Sequence, residues 1–176
     1  MSETDERYPI GRFVPPAVFN STVRDEIVKQ IASAPAELRS AVAGLTDQQL
    51  NTPSRAGGWT VRQIVHHLPD SHLNGYVRFK LALTEDEPTI RPYNQARWAE
   101  LPEAMNAGTE SSLLLLEAVH RRWVACIDCL TEEVFERRLR HPETGVLSLN
   151  EQLAMYAWHG RHHTAQITSL RKRMGW

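Results

Sequence analysis

The chain is 176 residues long, 41% hydrophobic and 23% charged, with 20 Lys and Arg against 21 Asp and Glu. That length suits a single domain, able to bury about 70% of its unfolded surface; the even charge argues against a nucleic-acid partner, and no apolar run reaches the roughly 18 residues of a membrane span. Two cysteines exclude a disulfide framework, and the polar opening MSETDERYPIG lacks the apolar stretch of a secretory signal, so a cytoplasmic protein with no membrane attachment is expected.

In chain order, residues 1–20 carry Pro9, Pro15 and Pro16 and predict an extended N-terminal arm. The first helix is expected over 23–45, where Val23, Ile27, Ile31, Leu38, Val42 and Leu45 fall at helical spacing, with Pro35 kinking or restarting it. Thr46 with Gln49 is a capping box for a short helical turn, and Pro53 to Gly58 is a turn-rich break. Thr60 with Gln63 opens the second helix, expected over 60–84. Residues 85–108, rich in Pro, Glu and Asn, read as a long connection that could cross between helices that are not neighbours.

The third helix, 111–130, repeats Leu115, Val119, Trp123, Cys126 and Leu130. Its Cys126-Ile127-Asp128-Cys129 lacks the βαβ context of a redox motif and reads as packing. Pro142-Glu143-Thr144-Gly145 between β-compatible flanks predicts a small hairpin, and Ser148 with Glu151 caps a fourth helix over 148–173. Arg171, Lys172 and Arg173 at its end complement the helix dipole without needing a partner. The architecture expected is all-α: a four-helix bundle, one domain over 1–176, with a long connection between helices 2 and 3 and a hairpin before helix 4.

Six of the eight histidines fall in two clusters, His66, His67 and His72, then His159, His162 and His163. His159 and His163 are one helical turn apart, which stacks their side chains about 5–6 Å apart on one face. His162 points about 100° away from His163. The seam Leu149, Leu153, Tyr156, Gly160, His163, Ile167, Leu170 passes through His163, with Gly160 opening space beside it. A polar line Gln63, His67, Asp70, Asn74 marks the second helix, and periodicity alone leaves His66 and His67 both eligible to face inward. A helical His-x-x-x-His is by itself compatible with two unrelated side chains. Joined by a histidine from a facing helix, it becomes three imidazoles with an open coordination position, the catalytic rather than the structural zinc pattern. The Glu of a His-Glu-x-x-His peptidase is absent, since Gly160 follows His159, so a proton acceptor would come from elsewhere, with Asp70 one candidate and a metal-bound hydroxide itself the other.

The segments Tyr8-Pro-Ile-Gly11, Gly57-Gly-Trp-Thr-Val-Arg-Gln-Ile-Val-His-His-Leu68, Asp70-Ser-His72, Arg78-Phe-Lys-Leu-Ala-Leu-Thr84, Trp158-His159, His162-His163 and Arg173-Met-Gly-Trp176 together resemble the YfiT family of metal-dependent hydrolases, in the DinB-like superfamily of metal-binding four-helix bundles. The resemblance runs from residue 8 to the C-terminus. It implies one divalent ion per chain, zinc or else nickel, on His67, His159 and His163, with His66 flanking on the outer face. It also implies a cytoplasmic homodimer acting on a small-molecule substrate. Pro69 stands where the motif has Ala. Related superfamily members transfer low-molecular-weight thiols, among them bacillithiol S-transferases, so thiol transfer stands beside hydrolysis, and a metal-stabilised bundle without turnover beside both.

Overall fold

The computed structural model describes residues 5–176, so the first four residues of the expected arm lie outside it. Seven α-helices follow among the described residues: α1 (Ser21–Val42), α2 (Asp47–Leu50), α3 (Val61–Thr84), α4 (Gln95–Ala99), α5 (Pro102–Asn106), α6 (Glu110–Ile127) and α7 (Leu149–Met174). A 3-10 turn (Glu132–Glu136) and an antiparallel hairpin, β1 (Arg138–His141) with β2 (Gly145–Ser148), precede α7.

The starts of these elements follow from side chains that satisfy the first free amides of each helix. Thr46 with Gln49, Thr60 with Gln63 and Ser148 with Glu151 each form a reciprocal capping box, and Asn20 caps α1 through Val23 N–H. Arg137 donates to the carbonyls of Ala82 and Glu85 at the end of α3, and Arg171 to those of Ala41 and Ala43 at the end of α1. Arg171 and Arg173 therefore do have partners, contrary to the dipole-only expectation; Arg173 donates to Ser54 O and pairs with Glu6. The hairpin pairs Leu139 with Leu147 and turns at Gly145, whose φ of 87° suits a residue without a side chain.

Four long helices make the bundle: α1 packs on α6 and α7, and α3 packs on the same two. Consecutive α1 and α3 thus sit across a diagonal, as do α6 and α7. The crossovers are residues 43–60 and 128–148, and the expected crossover at 85–108 is instead a link between neighbours. That link folds as α4 and α5 against α3, held by Gln63 donating to Ala99 O and Arg62 to Ala107 O. The apolar seam of α6 is also shifted from expectation: Leu113, Leu116, Val119, Trp123 and Ile127 are buried, whereas Leu115 is exposed.

Two apolar clusters fill the interior. One gathers Ile31, Phe79, Trp123, Leu149 and Leu153; the other gathers Leu38, Ile64, Leu68, Leu116 and Ile167. Along α1, α3 and α7 they are separated by residues 32–37, 69–75 and 158–166, and the buried His72, His162 and His163 lie in that intervening layer. α1 runs on through Pro35 without restarting, so the second of the two outcomes expected there does not occur, and α3 is unbroken at Pro69. The carbonyl that Pro35 leaves without a helical donor belongs to Ile31, and it is bonded from outside the helix by His120.

Candidate metal centre

α3 carries His67 two turns beyond its cap, and α7 carries His159 and His163 one turn apart opposite it. One ring nitrogen from each of the three lies within 4.8 Å of the others. His67 Nε2 is 3.3 Å from His159 Nε2, and the rings meet edge to face with centroids 4.6–5.2 Å apart. Trp59 covers the cluster, 4.7 Å from the His67 ring and stacked at 6.2 Å on that of His163. The Gly57-Gly58 turn places it there, with Ser54 N–H donating to Trp59 O.

Both α7 imidazoles of the cluster have the far nitrogen occupied. His163 Nδ1 is 2.9 Å from Gln166 Oε1, and the Gln166 amide N–H groups reach Arg7 O and His162 Nε2. His159 Nδ1 is 3.1 Å from His72 Nε2. Since an amide oxygen can only accept, His163 carries its proton on Nδ1 and offers Nε2 to the cluster. Burial pushes His67 down to about 4, and His159 and His163 well below the ordinary imidazole range, with the neighbouring imidazoles adding to the effect. The three rings are therefore neutral at neutral pH, the form that ligates a metal.

The other expected residues fall in different places. His66 is buried, not on the outer face: its ring bonds Ser112 Oγ at 2.7 Å and Ala107 O at 3.3 Å, tying α3 to α6. His162 stacks on Trp158 at 4.5 Å and meets the His163 ring edge to face at 5.0 Å, but it contributes no nitrogen to the three-imidazole cluster. Gln63 serves the helix cap and Ala99 O. Asp70 is half-buried with a carboxyl pushed up to about 6, by desolvation first and Glu103 second, and no hydrogen bond joins it to the three imidazoles among the described residues. Gly160 admits α1 and His72 rather than opening space beside His163: a Cβ there would lie 3.2 Å from Ala34 Cβ and 3.6 Å from His72 Cε1.

His159 also borders a cavity of about 660 Å³ lined by Ser71, Arg78, Tyr93, His141 and Tyr156 among others. Among the described residues Arg78 Nε is buried there with no hydrogen-bond partner, Tyr93 Oη is buried beside the Ser71 hydroxyl, and Arg78 Nη2 is held on Arg91 O. Burial raises the Tyr93 phenol to about 12, so it keeps its proton. A buried N–H without an acceptor, next to a phenol that keeps its proton, is placed for a ligand's oxygen atoms. Neither was found by sequence reasoning, nor was His120. The one available signal was a histidine standing beside the apolar positions Val119 and Trp123 in mid-helix.

The model of the DinB superfamily matches residues 30–167. A protein of Bacillus cereus (strain 03BB102) named "putative metal-dependent hydrolase" is 51% identical over 172 residues, covering 98% of this chain and 99% of its own. One of Bacillus anthracis (strain A0248) with the same name is 50% identical over the same length and coverage. Among solved structures, YfiT from Bacillus subtilis, described as "a probable metal-dependent hydrolase with an unusual four-helix bundle topology", superposes with a TM-score of 0.95 at 46% identity, over 97% of this chain and 98% of the other.

Proposed function

The chain belongs to the DinB superfamily, in the YfiT family, and from that premise we propose that it is a metal-dependent hydrolase of small molecules, with His67, His159 and His163 as ligands of one divalent ion. The observation that carries this reading is the convergence of three neutral imidazole nitrogens within 4.8 Å. An all-nitrogen donor set without thiolate suits zinc first and nickel second. When bound, the ion supplies Lewis acidity to a substrate carbonyl or related bond and to water.

The chain's own residues do the rest. Trp59 walls off one side of the cluster, and the cavity beside His159 admits the substrate. There Arg78 Nε–H and Tyr93 Oη–H donate to an oxygen remote from the scissile bond and fix its orientation. Asp70, whose carboxyl sits near 6, can exchange a proton close to neutral pH. Transfer of a low-molecular-weight thiol is the second reading. It is supported by the lack of any carboxylate bonded to the three imidazoles among the described residues, since a coordinated thiol needs no separate base. A homodimer in the cytoplasm accompanies both readings, and the exposed Leu73 and Val77, one turn apart on α3, offer it an apolar surface.

His67→Ala, His159→Ala and His163→Ala are each expected to lose bound metal by elemental analysis, whereas His66→Ala and His162→Ala keep it. Equal retention in all five would refute the ligand assignment. Turnover of ester and amide panels, compared with thiol-plus-electrophile pairs, decides between hydrolysis and transfer.

A further inference from the structure

Behind His159, on the side away from the other two imidazoles, the hydrogen bonding does not stop. His159 Nδ1 is 3.1 Å from His72 Nε2, His72 Nδ1 is 2.8 Å from His120 Nε2, and His120 Nδ1 is 2.5 Å from the backbone oxygen of Ile31. His72 and His120 are each 1% exposed, and Ile31 is fully buried. The two rings stack, 4.8 Å apart at 21°. The four participants come one from each long helix: Ile31 from α1, His120 from α6, His72 from α3 and His159 from α7.

The direction of every proton in this chain follows from its last member. A carbonyl oxygen only accepts, and the Ile31 carbonyl is free to accept because Pro35, four residues on, has no N–H. His120 must therefore carry hydrogen on Nδ1. A neutral imidazole has a single N–H, so His120 Nε2 is a lone pair and accepts from His72 Nδ1–H. By the same rule His72 Nε2 is a lone pair and accepts from His159 Nδ1–H. What remains on His159 is a bare Nε2, which is the atom facing His67 Nε2 at 3.3 Å. A second N–H on either ring would bury a charge, and among the described residues no carboxylate is hydrogen-bonded to His72 or His120 to balance it.

We propose that His72 and His120 are positioning residues: a relay anchored on the Ile31 carbonyl that fixes the tautomer and ring orientation of His159 and so holds its Nε2 lone pair ready for a metal ion. The proposal rests on the assignment of His159 as a ligand. The relay does for His159 what Gln166 does for His163, but through the bundle core instead of along one helix. Partners of this kind, hydrogen-bonded to the far nitrogen of a ligating histidine, are typically worth about 10–100-fold in metal affinity.

The test has two arms. Long-range ¹H–¹⁵N correlation on the metal-free wild-type protein reports histidine tautomers without any substitution. His72, His120 and His159 should all appear as Nδ1–H, and an Nε2–H form at His72 or His120 would overturn the relay. The second arm measures zinc affinity by competition with a chromophoric chelator. His72→Met removes the acceptor at nearly constant bulk and should weaken binding about 10–100-fold, with unchanged stoichiometry. His72→Gln, whose amide can accept from His159 and donate to His120, should restore most of the affinity. Wild-type affinity in His72→Met, or equal loss in both variants, would overturn the positioning role. Retention of zinc by His159→Ala would instead defeat the ligand assignment, while leaving the tautomer result to stand by itself.

Discussion

Arg78 and Asp70 stand on the same helix as His67, yet their environments give them different work. Arg78 has one amine held on Arg91 O and its Nε buried and unpartnered beside His159, so it is set to donate rather than to balance charge. Asp70 has a carboxyl lifted to about 6 mainly by desolvation. On any substrate the protein turns over, Arg78→Met should raise KM with metal content unchanged. Loss of a charge-assisted hydrogen bond of about 1.5–3 kcal/mol predicts roughly a ten- to hundredfold fall in kcat/KM. Asp70→Asn in the same assay should leave KM near its original value and remove the pH-rate limb near 6. A variant pair with indistinguishable steady-state profiles would contradict both roles. At this scale the sequence discriminates unevenly. Spacing separates His163 from His162, because 100° of helix turn lies between them. It leaves His66 and His67 open, and both prove buried, so their roles differ only in which neighbouring helix they face. His120 is invisible as a site residue because its partners, Ile31 and His72, lie 89 and 48 positions away.

Helix limits were the most readable feature of the elements, since three capping boxes are local patterns of four residues and each forms as written. Helix neighbours were not readable. Apolar periodicity says which face is buried and nothing about which helix covers it, so it leaves 85–108 eligible as a crossover although the diagonals are spanned by 43–60 and 128–148. The approach of α7 to α3 depends on Gly75, another residue whose meaning is purely tertiary. A Cβ built there would stand 2.3 Å from Tyr156 Cζ, inside the ring that packs over the α3 backbone. Gly75→Ala gains a little helix propensity, about 1 kcal/mol. Against that, either the Tyr156 ring or a whole helix must move, and overpacking of this sort costs about 1–3 kcal/mol or more. The net expectation is a lowered melting temperature, together with altered Tyr156 fluorescence or ring resonances. A melting temperature equal to or above wild type would show that the contact is softer than drawn.

For the molecule as a whole, a core layer of neutral imidazoles makes stability depend on pH in a definite direction. Free histidine has a pKa of 6.5; burial lowers His67 and His120 to about 4 and holds His72, His159 and His163 well below the free value. Above about pH 6.5 these rings are neutral folded or unfolded and contribute no pH dependence. As pH falls below that value the unfolded chain takes up protons that the fold refuses, so stability is lost progressively. For His67 and His120 the loss continues until about pH 4, at up to roughly 1.4 kcal/mol per pH unit for each ring. Urea titrations of the metal-free protein should show a midpoint that falls steeply between pH 6.5 and 4 and is flat from 6.5 to 8. A flat response through the acid range would mean that the rings are hydrated and able to charge in place.

Pro35 has a consequence for how variation at this position would be tolerated. Judged by helix α1 alone, replacing a buried mid-helix proline with alanine is an improvement, because it restores a main-chain hydrogen bond to Ile31. Judged by the histidine layer, the restored amide competes for the one oxygen that gives the imidazole chain its polarity. His120 could then turn over, and with it the proton on each successive ring would reverse, presenting N–H in place of a lone pair at the far end. A change that strengthens the scaffold would thus disarm a site built on three other helices, a trade between stability and activity carried by one missing amide.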